Sequence, residues 1–263
     1  MRTFFQNNQA TVFCGDVLEL LPRIESESVD MIFADPPFNV GKNYGKTKDN
    51  RTDYEEWCAE WIKECFRTLK PSGTFYLMTI PRHLPMLYPV MSERGVFVNQ
   101  VNWRNVSAAH AKKGFWNSYQ PILMYAKTPD FHFEIDAEIQ DSGLRRWGGY
   151  SAGSSWKGRM KDSWDDIPLV YAGSIRHPEA IIKKGTNSKA HPCQMPTALV
   201  KRAAKFSCPV GGTILDPFLG SGTTLEAAKE VGCKTIGVEI NEDYCQIAIE
   251  RLAQTPLPLH EAV

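Results

Sequence analysis

The chain reads as an α/β protein built on one mostly parallel, twisted sheet that is flanked by helices and carries an irregular insertion. Three observations predict this. The short apolar runs Val29–Ala34 and Thr213–Leu215 stop at the acidic turns Asp35-Pro36-Pro37-Phe38 and Asp216-Pro217-Phe218-Leu219-Gly220-Ser221-Gly222. Buried parallel strands end in this way where they open onto a ligand crevice. Strand and helix patterns alternate at both ends of the chain, and 263 residues are enough to bury one large core.

Taken in order, periodicity predicts a strand over 11–16, a short helix over 17–24 and a buried strand over 29–35. A polar loop follows from Pro36 to Arg51. Thr52 or Asp53 then caps a helix whose Trp57, Trp61, Cys65 and Leu69 recur at fourfold spacing, and Pro71-Ser72-Gly73 ends it. That spacing makes the tryptophans core residues rather than a stacking platform. Strands are expected over 74–80, 97–103 and 121–127, with a proline-interrupted helix between the first two. Between Asp130 and Lys189 periodicity fails, and irregular stretches of that size are functional or disordered. Regular structure returns with helices over 196–206, 223–231 and 242–252 and strands over 213–216 and 234–240.

The formal net charge is zero, so no global polyanion partner is indicated. Residues 141–190, however, hold nine Lys/Arg against five Asp/Glu, a local +4 that suits phosphates. A solvated lysine-rich loop would look the same by charge alone. Seven scattered cysteines without a Cys-x-x-Cys pair predict reduced thiols, with neither a disulfide framework nor a metal site. The polar start and the lack of an apolar run of about 20 residues predict a cytoplasmic protein with no membrane partner.

The second acidic turn lies between a strand and a helix, where glycines admit a ligand near the backbone and the helix start offers N–H groups. It is not a P-loop, because no Lys follows Gly222, and Leu225 stands where a dinucleotide fingerprint has its third glycine. Glu239 ends the next strand, where an acid can accept from both ribose hydroxyls, and Asp216 can face a positive centre. A ligand with a ribose, a carboxylate and a cationic methionine arm fits, and S-adenosylmethionine is such a ligand. In the first turn, two prolines fix φ and remove two N–H donors, so an acidic side chain and a bare carbonyl stand beside an aromatic ring. That arrangement suits an exocyclic amine on a planar base.

These motifs, with His191-Pro192-Cys193-Gln194-Met195-Pro196 before the cofactor strand, resemble the permuted (beta-group) amino-methylating DNA methyltransferases, in which the catalytic motif precedes the cofactor motif. The resemblance runs from Gly15 to Leu252 and weakens in the insertion. It implies a single Rossmann-like methyltransferase domain with a catalytic half at 1–128, a target-recognition insertion at 129–190, a cofactor-binding half at 191–255 and a tail at 256–263. It further implies catalysis by Asp35, Pro36, Pro37 and Phe38. S-adenosylmethionine would be held by Asp16, Asp35, Gln194, Pro196, Asp216, Phe218, Gly220, Ser221, Gly222, Thr223, Glu239 and Asn241. Two departures stand out. Met195 occupies a usual Lys position, and Tyr119-Gln120 lies where a His-Glu pair is common.

Double-stranded DNA is the implied partner, and a homodimer and a cognate restriction endonuclease are left open. Lys112, Lys113 and Trp116, and Arg145, Arg146, Lys157 and Arg159, combine charge with nearby aromatics and are the candidate DNA contacts. For Trp147, Trp156 and Trp164 the alternative is that each pins the insertion to the body. Asp35 favours adenine N6 as the acceptor, since cytosine N4 enzymes more often carry Ser there. Transfer to cytosine N4, to RNA adenine or to a glutamine side chain stays open. So does a regulator that binds cofactor and DNA without turnover, a reading that draws on Met195.

Overall fold

The computed structural model describes residues 3–44, 48–104, 113, 115, 117–141, 157–169, 179–182 and 193–254. Its strands and helices, in chain order, are β1 Thr3–Gln6, β2 Ala10–Cys14, α1 Val17–Leu20, β3 Val29–Ala34, α2 Tyr54–Thr68, β4 Leu69–Met78 and α3 Leu84–Ser92. These are followed by β5 Val96–Arg104, β6 Tyr119–Ala126, β7 Ile139–Asp141, β8 Lys157–Arg159, β9 Ser163–Trp164, α4 Thr197–Ser207, β10 Thr213–Asp216, α5 Thr223–Glu230, β11 Lys234–Glu239 and α6 Glu242–Ala253. Among the described residues, nine strands form one sheet in the order β1-β2-β11-β10-β3-β4-β6-β5-β9. The run β2-β11-β10-β3-β4 is parallel throughout, and β6 runs against both β4 and β5.

All six residues of β3 are buried, as expected of a central strand covered on both faces. One face packs on α1, α2 and α3 through Val17, Trp61, Phe75 and Leu87. The other packs on α4 and α5 through Phe33, Met124, Leu199 and Ala227. Buried Asp30 ties three strands together at the amino edge. Its carboxylate takes Lys70 Nζ at 2.8 and 2.9 Å and Thr213 N at 2.8 Å.

Several elements differ from the sequence expectation for local reasons. The helix expected over 17–24 shortens to α1 and then tightens into a 3₁₀ turn at Leu21–Arg23, which contains Pro22. Asp53 precedes α2 but does not cap it, because the Arg51 guanidinium holds its carboxylate at 2.8 and 3.0 Å. β4 begins at Leu69 rather than Thr74, and its pairing with β3 jumps between Val29↔Leu69 and Met31↔Thr74. The Pro71-Ser72-Gly73 stretch is therefore an excursion within a strand. A Cβ on Gly73 would lie 2.7 Å from Leu69 and 3.0 Å from the Asp30 carbonyl, so only glycine fits the return. β1 lies outside the elements that periodicity predicts; its Phe4 and Phe5 pack against the cluster of Val12, Leu219 and Ala248. Within the aperiodic stretch, β7 and β8 pair as a ribbon and β9 joins the main sheet, all too short to show a period.

Candidate active site

Four neighbouring parallel strands, β2, β11, β10 and β3, release their chains at one edge, so their following loops must meet there. The meeting point is a cavity lined by Asp35 and its Pro-Pro-Phe turn from β3, by Asp216 and Phe218–Ser221 from β10, by Glu239 and Asn241 from β11, and by Asp16 after β2. Gln194 and Thr223 complete the predicted residues that reach it. The two acidic turns, far apart in sequence, thus share one crevice.

The cofactor-side carboxylates are already engaged. Asp216 accepts from Phe218 N at 2.9 Å and from Thr224 Oγ1 at 2.5 Å. Glu239 accepts from Gly220 N and Asn241 N, each at 2.8 Å, one on each oxygen. A carboxylate offers about four lone-pair positions, so these bonds fix the orientation of Glu239 and leave it capacity to accept further hydrogen bonds from the cavity. Below the loop, Arg251 donates to Thr223 Oγ1 at 3.1 Å and pairs with Glu226, and Thr223 donates to the Met195 carbonyl at 3.2 Å. Asp16 caps α1 through Leu18 N at 2.8 Å while lining the cavity. Asn241 likewise caps α6 through Asp243 N at 3.0 Å.

Asp35 is different. Among the described residues its carboxylate has no hydrogen-bond partner. Burial pushes its pKa up to about 8, the Asp216 charge adds to this, and Lys42 opposes it. Asp216 is pushed up to about 7, mainly by burial; its bonds to Thr224 and Phe218 pull the other way, and the Glu239 charge adds to the rise. The turn around Asp35 is held by its backbone. Tyr54 Oη donates to the Pro37 carbonyl at 2.8 Å, and His83 Nε2 donates to the Phe38 carbonyl at 2.8 Å. The Pro36 carbonyl meets no donor among the described residues. Beyond Phe38, Asn39 is left-handed at φ 53° and bonds the Arg51 carbonyl at 2.9 Å. Buried Asp49 closes the 39–51 segment by accepting from Lys42 N and from Val40 N at 3.3 Å.

Two predicted cofactor residues do not line the cavity. Pro196 sits at the start of α4, its carbonyl taking Leu199 N at 3.2 Å. Gly222, at φ 82°, starts α5, and a Cβ there would meet Ala248 of α6 at 2.8 Å. Its lack of a Cβ lets α5 and α6 pack closely. Gln194 reaches the cavity, but its amide is tied to the chain at Glu179 and Ile181. Met195 is an apolar wall of the cavity.

Sequence reasoning missed Tyr44, Asp49, Tyr54 and Trp57, all of which line the cavity. Trp57 has the spacing of a core residue, yet it also packs on Phe218 at 5.6 Å and has Arg51 over its ring at 5.3 Å. Of the candidate DNA contacts, Lys112, Trp116, Arg145 and Arg146 lie outside the described residues, as do His191, Pro192, Trp147 and Trp156. Lys113 is exposed, and Lys157 and Arg159 belong to β8. Trp164 is buried against the body under Arg202, the pinning alternative. None of the seven cysteines is joined in a disulfide. Among the described residues no helix is long and apolar enough to cross a membrane.

Comparison with known proteins places this architecture. The family model for N6/N4 methyltransferases, described as DNA methylase, matches residues 29–250, and the chain belongs to this family. It is 33% identical to the DNA adenine methyltransferase YhdJ of Escherichia coli (strain K12), over 95% of this chain and 85% of that one. It is 31% identical to the Type II methyltransferase M.HpaI of Haemophilus parainfluenzae, over 92% and 73%. The fold is also that of TTHA0409 from Thermus thermophilus complexed with S-adenosyl-L-methionine, with TM-score 0.62, 22% identity, and 92% of each chain covered. The PvuII DNA methyltransferase (cytosine-N4-specific) superposes with TM-score 0.68 at 18% identity, covering 97% of this chain and 92% of that one.

Proposed function

We propose that this DNA methylase transfers the methyl group of S-adenosylmethionine to the exocyclic N6 amine of an adenine turned out of duplex DNA. One observation carries the reading: Asp35, whose carboxylate meets no hydrogen-bond partner among the described residues, faces the same cavity as a loop whose own carboxylates are oriented by hydrogen bonds. S-adenosylmethionine supplies an electrophilic methyl on a sulfonium, and a pocket lined by Asp35, Asp216 and Glu239 suits its positive charge and ribose. Asp35 and the Pro36 carbonyl accept the two amine hydrogens, drawing the nitrogen towards tetrahedral geometry and freeing its lone pair. After transfer, Asp35 or solvent takes the surplus proton. Phe38 stacks on the extruded base, which offsets about 1–3 kcal/mol of an extrusion penalty of a few kcal/mol.

Adenine is preferred because Asp stands at position 35 and because YhdJ, named as an adenine enzyme, is 33% identical. The target-recognition role of 129–190 and a cytoplasmic location belong to the same proposal. The test is incubation with methyl-labelled cofactor and duplex DNA from a methylation-deficient host, followed by nucleoside analysis. Label is expected in N6-methyldeoxyadenosine. Label in N4-methyldeoxycytidine would move the target to cytosine, and no label would remove the activity.

A further inference from the structure

A cation that the motifs do not include touches the catalytic turn. Arg82 lies in the 3₁₀ turn Pro81–His83 that follows β4. Its Nη2 donates to the Asn39 carbonyl at 2.8 Å and to the Phe38 carbonyl at 3.3 Å. His83 Nε2 also meets the Phe38 carbonyl, at 2.8 Å, so that nitrogen carries the proton. Arg82 Nε, 3.4 Å from it, therefore finds no acceptor there. Nη1 meets none among the described residues. Both carbonyl partners are neutral, and no carboxylate lies within ion-pair distance of Arg82 among the described residues. By contrast, Arg51 is paired with Asp53, and Arg202 with Glu138 and Asp166.

The result is an exposed guanidinium with no counter-charge among the described residues, held in place by the carbonyls of the residue that would stack on the target base and of its neighbour. A guanidinium with a fixed plane and spare N–H groups matches the paired oxygens of a phosphate. We infer that Arg82 binds the phosphodiester flanking the extruded nucleotide, linking backbone grip to the position of the Phe38 turn. This rests on the proposed DNA substrate and adds a contact that lies outside the basic insertion. Arg82 acts here as a binding and positioning residue.

The experiment compares the full-length protein with Arg82→Ala and Arg82→Lys. Each is titrated with fluorescent duplex DNA over a range of salt concentrations in the presence of S-adenosylhomocysteine, whose own affinity is measured by calorimetry. Loss of one phosphate contact should lower the slope of log affinity against log salt by about 0.9. In Arg82→Ala, DNA affinity should also fall about tenfold, with S-adenosylhomocysteine affinity unchanged. Arg82→Lys should keep the slope yet slow methyl transfer, because an ammonium lacks the planar fork that spans both carbonyls and a phosphate. An unchanged slope in Arg82→Ala would overturn the inference. So would a parallel loss of S-adenosylhomocysteine affinity, which would make Arg82 a structural strap. A wild-type protein that binds duplex DNA but transfers no methyl group would sink the proposed activity while leaving the slope comparison readable.

Discussion

The two acidic corners of the crevice are built alike and finished differently. Each is an Asp at the end of a central parallel strand, followed by Pro and Phe within three residues. At Asp216 both carboxylate oxygens are bonded, and buried Arg251 supports the loop beneath. At Asp35 the backbone is braced by Tyr54 and His83 while the side chain has no partner among the described residues. One corner uses its charge to hold a loop in shape. The other holds its shape by other means and keeps its carboxylate available, and burial makes that carboxylate resist ionisation.

The largest effects should come from alanine at the two corners. Asp35→Ala should cut the methyl-transfer rate by about 10²–10³-fold, as removal of a preorganised hydrogen-bonding group does, with a much smaller loss of cofactor affinity, since Asp216 and Glu239 remain in the pocket. Because it breaks no side-chain hydrogen bond among the described residues, it should leave thermal stability unchanged or raise it. Asp216→Ala orphans the Phe218 N–H and the Thr224 hydroxyl and should lower stability by about 2–4 kcal/mol. Melting curves and single-turnover rates of the two variants check this. Equal destabilisation would erase the distinction between the corners.

The next test is pH. Raised carboxyl pKa values at Asp35 and Asp216 mean that the folded state binds more protons than the unfolded one above the ordinary Asp value. Stability from these groups is therefore present below about pH 4. It declines as pH rises towards about 7 to 8, where the two groups ionise. An ionised acceptor is needed for the amine hydrogens, so kcat/KM should rise through the same interval, by up to about tenfold per pH unit. A profile flat from about pH 6 to about pH 9 would detach Asp35 from the chemistry. The smallest effect is expected at Tyr54→Phe, which removes one hydrogen bond from the Pro37 carbonyl. About 1 kcal/mol, or a roughly fivefold slower transfer with cofactor affinity intact, should appear in single-turnover kinetics. An unaltered rate would mean that the prolines and the His83 and Arg82 bonds hold the turn without Tyr54.

How much of this was legible follows from the range of each interaction. The strands ending at Asp35, Asp216 and Glu239 were visible because a two-sided buried strand must be an apolar run and its exit must be polar. The proline turn carried its own geometry, since φ restriction is local. Tyr54, Arg82 and Asp49 left no such trace, because nothing near them in sequence says that a carbonyl or amide from another segment will lie opposite. The packing of Gly222 on Ala248 was hidden for the same reason, since a glycine beside a ligand and one beside a neighbouring helix are spelled alike.

By itself the sequence determined the alternation of strands and helices, the two acidic exits and the family. These depend on periodicity and on backbone restraint over a few residues. Only the tertiary structure decided which carboxylate is tied and which is open among the described residues, which cation meets the catalytic turn, and which tryptophan reaches the cavity. Such differences arise from pairings across the sheet edge, where the partners are distant in the chain and the low dielectric of a buried site makes a single missing hydrogen bond consequential.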